Sequence, residues 1–206
     1  MAEPETAQRP SAILAAALEC FDERGFAAAT IEEIRALSGA SIGSIYHHFG
    51  GKEQIAAELY VGGLRGYQQG FVRALEQDPD DAEGGIRAVV IHHLRWVRRN
   101  PRLARFLMNR RETELRLATE ARIRELNREF FPRVQAWLRR QVDAGALRPL
   151  PLDLWEPVLL GPCQELARLW LAGRTRISLQ AAERELAESA WRAVRSDTRR
   201  TKGRRR

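Results

Sequence analysis

The stretch that decides the fold runs from residue 30 to residue 52 and reads Thr-Ile-Glu-Glu-Ile-Arg-Ala-Leu-Ser-Gly-Ala-Ser-Ile-Gly-Ser-Ile-Tyr-His-His-Phe-Gly-Gly-Lys. Thr30 followed by Glu33 is the pattern of a capping box at a helix start. Ser38-Gly39 is typical of a helix end, because glycine adopts the left-handed conformation at low cost. Ser41 can then cap a second short helix that ends at the following glycine pair. The stretch therefore predicts two short helices joined by a tight turn.

The second of these helices has an outward face that suits DNA. When Ala40, Ile45 and Phe49 face inward, small and hydrogen-bonding side chains are left outside. A short helix on such a scaffold fits the major groove. Ile42 has two interpretations, since it can touch a thymine methyl group or be tucked into the core. We expect close backbone approach at Gly43 and base reading by Ser41, Ile42, Ser44 and His47.

Other residues of the stretch are predicted phosphate contacts. Tyr46 and His48 can donate to phosphate oxygens, and Lys52 adds a positive charge. The alternative for Tyr46 and His48 is packing against the first helix of the chain, predicted at about Ser11 to Arg24. Thr30 lies at a helix start, where a cap and a phosphate contact are compatible roles. Arg35 either reaches a phosphate or pairs with Glu32 on the helix surface.

These residues resemble the N-terminal domain of TetR/AcrR-type transcriptional regulators. That family's pattern is Ser-x-Gly-Ser/Thr-aliphatic-Tyr-x-His-Phe followed by Lys-Glu, and this chain has it from Ser41 to Phe49 and at Lys52-Glu53. The resemblance covers roughly residues 11 to 60, and the remainder agrees only in helical layout. It implies a repressor that binds double-stranded DNA as a homodimer on a palindromic operator, with an unknown small-molecule effector. It also implies that the matching positions contact phosphates.

Helical periodicity dominates the rest of the chain and predicts an all-α protein of about nine helices, beginning with a three-helix helix-turn-helix domain. The glycines of the long helix that opens at Lys52 indicate either close packing or bending. Four regions are expected: a flexible arm at 1–10, the helix-turn-helix domain at 11–52, a helical effector-binding and dimerisation domain at 53–198, and a basic disordered tail at 199–206.

Composition narrows the class of protein. A chain of 206 residues allows one or two domains with a real core. It contains no apolar run long enough to span a membrane. Cys20 and Cys163 are far apart and predict free thiols in a reducing, cytoplasmic compartment. Because zinc-ligand spacing, a glycine-rich phosphate loop and a Ser/His/Asp order are all missing from the sequence, we expect no metal, no cofactor and no enzymatic activity.

The charge distribution leaves two other functions open. The net charge is +7, but residues 1–55 hold four basic and eight acidic side chains, and residues 199–206 hold six basic ones. The basicity therefore does not come from the predicted DNA-binding region. One alternative is a weakly specific DNA-binding protein that uses the tail. The other is a helical protein that sequesters small molecules and has a vestigial helix-turn-helix.

The resemblance also implies a ligand pocket among the central helices and a dimer bundle made by the last two. In the centre of the chain, the residues alone favour an ordinary core over a pocket. For the last two helices the alternative is packing within the domain, but their two wide apolar faces can pack on the domain and still have surface left to bury. The candidate pocket residues are aromatic or soft: Tyr67, Phe71, His93, Trp96, Phe106, Met108, Phe130 and Trp137. The candidate interface residues lie on two wide apolar faces: Trp155, Leu159, Leu166, Trp170, Leu186 and Trp191.

Overall fold

The computed structural model describes residues 5–108 and 113–197, with the backbone alone for 5–9 and 113–118. This part of the chain forms nine α-helices, which confirms the predicted all-α class. They are α1 (Glu5–Arg24), α2 (Ile31–Ser38), α3 (Ile42–Phe49), α4 (Lys52–Glu76), α5 (Ala82–Arg99), α6 (Pro101–Met108), α7 (Thr113–Asp143), α8 (Trp155–Leu171) and α9 (Leu179–Val194). The predicted basic tail at 199–206 lies outside the described residues, as does the start of the predicted arm.

The first helix is longer than expected. It begins at Glu5, so that residues 5–10, which we expected in a flexible arm, are helical and Pro10 lies inside α1. Proline lacks the amide donor that a helix interior uses, and nothing in the sequence marks a helix start at Glu5. The long helix α7 likewise continues through Pro132.

The chain divides into two compact units, each built from two separate segments. Unit 1 comprises residues 1–66 and 100–126, and unit 2 comprises residues 67–99 and 127–206. This division differs from the expected boundary at residue 52, because α6 and the first half of α7 belong to unit 1. Helices α4 and α7 each contribute residues to both units.

Unit 1 has a core to which each of its first four helices contributes an isoleucine. Ile13, Ile34, Ile45 and Ile55 are fully buried, one each from α1, α2, α3 and α4. Removing such a side chain from water stabilises a fold by about 1.5–3 kcal/mol. The two helices of the helix-turn-helix are therefore fixed against α1 and α4.

Helix α6 completes this core from later in the sequence. The ring of Phe106 stacks on Phe21 with centroids 5.7 Å apart. Arg105 donates to both carboxylate oxygens of Asp22, at 2.6 and 2.8 Å, and this charged hydrogen bond lowers the pKa of Asp22. Phe106, which we predicted in a ligand pocket, is thus part of the core of unit 1. Met108 also belongs to unit 1, at the exposed end of α6.

Unit 2 is held by α5, which packs against both α8 and α9. Its fully buried residues include Val89 and Val90 of α5 and Val194 of α9. At the surface, Arg95 pairs with Glu183 at 2.9 Å, and Arg87 pairs with Glu188, so that α5 and α9 are also linked by charge.

Two of the predicted interface residues take part in this packing. Trp155 and Leu159 are buried within the single chain, which leaves them little surface for a partner. The other four are half-buried: Leu166, Trp170, Leu186 and Trp191.

A disulfide, a metal site and a membrane-spanning helix are all missing from the described part of the chain. Cys20 and Cys163 are both buried and free, and burial raises the pKa of the Cys163 thiol to about 11. Within residues 5–108 and 113–197, His, Cys, Asp and Glu side chains form no group of three that is suited to hold a metal ion. Over the same ranges, no helix combines the length and the apolar character needed to cross a membrane.

Candidate nucleic-acid interface and aromatic cluster

The first helix of the helix-turn-helix begins with the predicted capping box. The Thr30 hydroxyl oxygen accepts from the backbone N–H of Glu33 at 3.2 Å, and the Glu33 carboxylate accepts from the backbone N–H of Thr30 at 3.0 Å. Arg24, at the end of α1, pairs with the same carboxylate at 3.1 Å. Two of the amides that a helix start leaves unpaired are thereby satisfied.

Local hydrogen bonds also cap the end of α2 and both ends of α3. Gly39 adopts φ +68° and donates to the carbonyl of Arg35 at 3.0 Å. The Ser41 hydroxyl accepts from the backbone N–H of Ser44 at 3.1 Å. At the other end, Gly50 has φ +75° and donates to the carbonyl of Tyr46 at 2.9 Å. Helix α3 is therefore an eight-residue helix with both ends capped.

Helix α3 separates an inner from an outer face. Ile45 is fully buried and Phe49 is half-buried against the core. Ile42 and Tyr46 are 42% and 52% exposed. Ile42 thus points outward and is not tucked into the core, so that contact with a thymine methyl group stays the prediction for it. Tyr46 is not packed into the core either. The predicted DNA-contacting residues that lie exposed are Thr30, Arg35, Ser41, Ile42, Gly43, Tyr46, His47 and His48, with Ser44 half-buried.

Lys52 is the exception among the predicted contacts. Its ammonium group donates to the carbonyls of Phe26, Ala27 and Ala29 at 2.9, 3.2 and 2.9 Å, and it lies 4.7 Å from the centroid of the Phe26 ring. A lysine has three donor hydrogens, so these carbonyls occupy all of them. Lys52 ties the start of α4 to the loop before α2, and the geometry does not support the phosphate contact that we predicted for it.

Helix α2 exposes one large apolar side chain, that of Leu37. Leu37 repeats at helical spacing after Ile31 and Ile34, a pattern that indicates a buried position, yet it is 57% exposed. It lies in the last turn of α2, directly before the turn to α3. A hydrophobic pattern alone does not show where such a stripe ends, because α2 is only eight residues long.

In unit 2, five of the predicted pocket residues are joined by ring contacts. The Tyr67 ring lies 5.3 Å from Trp96 and 6.2 Å from Phe71, and Phe71 lies 5.5 Å from Phe130. His92, which we did not predict, is 5.3 Å from Tyr67. We call Tyr67, Phe71, His92, His93, Trp96 and Phe130 the aromatic cluster. Trp137 is buried elsewhere in unit 2, against Gly85.

The aromatic cluster has a polar centre. The Tyr67 hydroxyl lies 3.0 Å from Nδ1 of His93, and Nε2 of His92 donates to the Tyr67 carbonyl at 3.0 Å. Burial lowers the pKa of His93 to about 4 and raises the pKa of Tyr67. Both side chains are therefore neutral at neutral pH.

Comparison with known proteins finds a family model and curated relatives that are similar to the helix-turn-helix part of the chain. The family model described as bacterial regulatory proteins, tetR family, matches residues 13–59. The HTH-type transcriptional repressor AcnR of Corynebacterium efficiens is 43% identical over 47 residues, which are 23% of this chain and 25% of that repressor. The chain thus aligns with about a quarter of the length of this curated relative.

Solved structures extend the similarity of fold to most of the chain. A regulatory protein in the tetR family from Rhodococcus RHA1 has a TM-score of 0.73 at 21% identity, over 92% of this chain and 98% of its own. The regulator FadR from Bacillus subtilis, solved in complex with stearoyl-CoA, has a TM-score of 0.70 at 20% identity, over 89% and 98%. The matched family consists of regulatory proteins, which agrees with the prediction that the chain is not an enzyme.

Proposed function

We propose that the chain is a transcriptional repressor of the TetR family of bacterial regulatory proteins, whose family model matches residues 13–59. In this proposal it binds a palindromic operator in the cytoplasm as a homodimer and leaves the DNA when a small-molecule effector binds. The observation that carries the proposal is the outer face of α3, where Tyr46, His47 and His48 stand exposed on a helix whose ends are already capped.

The main objection to DNA binding is the net negative charge of residues 1–55, and the other residues of unit 1 offset most of it. Residues 1–55 carry −4, residues 56–66 add no net charge, and residues 100–126 add +3, which leaves unit 1 at −1. Much of the acidic surface is also paired. Glu33, Asp22 and Glu58 are engaged by Arg24, Arg105 and Arg122 respectively. The negative charge that favoured a vestigial helix-turn-helix is therefore largely offset within the same unit.

Two features support the proposed homodimer: the two half-sites of a palindromic operator and the apolar surface of α8 and α9. A palindromic operator presents two half-sites and needs two recognition helices. The half-buried residues of α8 and α9, namely Leu166, Trp170, Leu186 and Trp191, are large apolar side chains with surface left to cover. Large aromatic residues of this kind dominate interface energies. We assign the homodimer interface to this face.

The aromatic cluster is the proposed effector site. It is assembled from α4, α5 and α7, and α4 is also the helix whose first residue, Lys52, holds the loop before α2. An effector that changes α4 at Tyr67 or Phe71 therefore acts on a helix that continues into unit 1. Thermodynamic linkage requires the effector to bind the free dimer more tightly than the DNA-bound one, by the factor with which it weakens DNA binding.

The test of DNA recognition is a gel shift on the chain's own upstream DNA with excess competitor DNA. We expect one or more shifted fragments that resist competition. Tyr46→Ala should weaken binding, and Tyr46→Phe, which removes only the hydroxyl, serves as the matched control for lost phosphate donation. His47→Ala should instead change the base preference. Binding that competitor DNA removes completely would favour the weakly specific alternative, and no binding to any fragment would favour the sequestering protein.

The test of effector control is a compound screen read by thermal shift and by operator binding together. The screen includes stearoyl-CoA, because FadR, which shares the fold, was solved with it. We expect compounds that raise the melting temperature to weaken operator binding. A tight ligand of the aromatic cluster that leaves DNA affinity unchanged would refute the coupling.

A further inference from the structure

The aromatic cluster contains a buried nitrogen without a partner. His93 is only 6% exposed, and its Nε2 atom has no hydrogen-bond partner among the described residues. Most buried polar atoms in proteins are paired, so an unpaired one calls for an explanation. The His93 ring lies edge-on to the Tyr67 ring, with centroids 5.7 Å apart, and both belong to the cluster that the proposed function assigns to an effector.

The protonation of this nitrogen follows from its neighbours. If the Tyr67 hydroxyl donates to Nδ1 of His93, the imidazole proton is on Nε2, and only that N–H is left unpaired. If Nδ1 donates instead, both the Tyr67 hydroxyl hydrogen and the Nε2 lone pair are left unpaired. The first arrangement satisfies more buried groups. Tyr67 also retains its proton because burial raises its pKa.

We propose that His93 is the polar anchor of the effector site and that the effector brings a hydrogen-bond acceptor, such as a carbonyl oxygen, to its Nε2–H. The remainder of the effector is apolar and flat enough to lie among the rings of Tyr67, Phe71 and Trp96. Tyr67 is a positioning residue in this scheme, because its hydroxyl keeps the imidazole proton on Nε2. This inference rests on the proposed function, since it assumes that unit 2 binds an effector.

The test uses two probes that differ only in the acceptor. In 2-isopropenylnaphthalene a C=CH₂ group replaces the C=O of 2-acetylnaphthalene with nearly the same shape. Binding of both to the full-length protein is measured by NMR titration. We expect the ketone to bind about tenfold more tightly, since a hydrogen bond to an otherwise unpaired buried donor commonly contributes about that factor. Equal affinities, or no binding by either probe, would overturn the proposal.

Matched variants assign the effect to one residue. His93→Phe should bring the affinity ratio of the two probes to about 1, whereas His93→Gln, which keeps an N–H donor, should retain part of it. Trp137→Phe is the control, because the Trp137 Nε1 is the other buried indole or imidazole nitrogen without a partner among the described residues. Loss of the ratio in Trp137→Phe, or an unchanged ratio in both His93 variants, would show that His93 is not the anchor.

The free protein gives an independent readout. The ¹⁵N spectrum of the His93 imidazole should show a protonated Nε2 and an unprotonated Nδ1, and the ketone should shift the Nε2–H proton downfield. An unprotonated Nε2 would require a donor on the effector and would overturn the proposal.

The two proposals fail in different ways. One outcome is that the ketone binds more tightly through His93 but no ligand of the cluster releases operator DNA. His93 is then the anchor of a ligand site, and the proposal of an effector-controlled repressor is wrong. The other outcome is that an effector releases DNA but binds wild type and His93→Phe with equal affinity. The proposal of an effector-controlled repressor is then supported, and the proposal that His93 is the anchor is wrong.

Discussion

At the scale of single residues, Lys52 shows how a charge in a DNA-binding motif can serve the fold. Its ammonium group donates hydrogen bonds to three carbonyls of the loop at Phe26–Ala29 and lies over the face of the Phe26 ring. Thr30, the cap of α2, directly follows this loop. The position of α2, and through it of α3, therefore depends on a side chain at the start of α4.

We predict that Lys52→Met destabilises unit 1 by about 1–3 kcal/mol, because three carbonyls lose a charged donor. Operator affinity should fall, but the slope of log affinity against log salt should not change. A lost phosphate contact would instead reduce that slope by about 0.9. Urea unfolding and salt titrations of DNA binding measure the two quantities. A reduced slope with unchanged stability would restore the phosphate contact that the sequence suggested.

Gly43 is the second residue whose roles in folding and binding can be separated. A Cβ at this position would meet nothing closer than the Ser41 hydroxyl, at 4.0 Å. Gly43→Ala should therefore leave unit 1 as stable as before or up to about 1 kcal/mol more stable, since alanine favours the helix. It should nevertheless weaken operator binding about tenfold, because the methyl group blocks close backbone approach. Thermal unfolding and gel shift test both halves, and unchanged DNA affinity would show that the backbone of α3 stays away from the DNA.

At the scale of elements, the glycines of α4 fall into two groups. A Cβ on Gly70 would lie 2.2 Å from the His92 ring, and one on Gly63 would lie 3.0 Å from Leu103. Gly62 and Gly66 have nothing within 4 Å. Two of the glycines thus permit close packing within their own units, and the other two are open positions on the helix.

This difference gives a prediction with an internal control. Gly70→Ala should destabilise unit 2 by about 1–3 kcal/mol, because it displaces His92 from its hydrogen bond to the Tyr67 carbonyl. Gly62→Ala should stabilise the protein by up to about 1 kcal/mol through helix propensity alone. Thermal unfolding of the two variants is the measurement. Equal effects would mean that backbone flexibility matters at α4 rather than packing.

Helix α5 should make stability depend on pH through His93. Its pKa is about 4 in the fold, against about 6.5 in an unfolded chain. Between these values the unfolded state binds a proton that the folded state does not, so stability is complete above pH 6.5 and falls as the pH drops towards 4. The loss is up to about 3 kcal/mol. Denaturant unfolding at pH 7 and pH 4.5 should show it in wild type, and His93→Phe should lose less over the same interval.

At the scale of the whole molecule, the proposed dimer depends on side chains that the single chain leaves half-buried. Leu166→Asp should give a folded monomer that no longer binds a palindromic operator, because a charge there opposes burial by a partner. Leu152, which is 57% exposed and outside α8 and α9, provides the control: Leu152→Asp should remain dimeric. Sedimentation at micromolar concentration decides, and a monomeric wild type would exclude this interface.

The helix-turn-helix was predictable from the sequence because its signals are local. The capping box at Thr30, the left-handed Gly39 and the cap at Ser41 each involve residues within four positions of one another. The hydrogen bonds of Lys52 were not predicted, because its partners lie 23 to 26 residues earlier and are carbonyls, which sequence patterns do not distinguish.

Apolar residues were harder to place for a related reason. Phe106 was assigned to a pocket and Trp155 to an interface, yet Phe106 packs, half-buried, against the core of unit 1 and Trp155 is buried in unit 2. A large apolar side chain has the same sequence pattern in a core, a pocket or an interface, and only long-range packing distinguishes them. The division into two units differs from the expected boundary because α6 packs against α1, a contact between residues far apart in the sequence.

The division of the chain into interleaved segments affects how the protein can be made and recombined. On the ribosome, residues 67–99 emerge before Arg105 and Phe106, the side chains that join α6 to Asp22 and Phe21. Unit 1 therefore remains incomplete while residues 67–99 of unit 2 are synthesised. A fragment that stops at Gly66 would lack these partners. A gene fusion that transfers unit 1 into another protein needs three junctions, near residues 66, 99 and 126. A unit made from one contiguous segment would need only one junction.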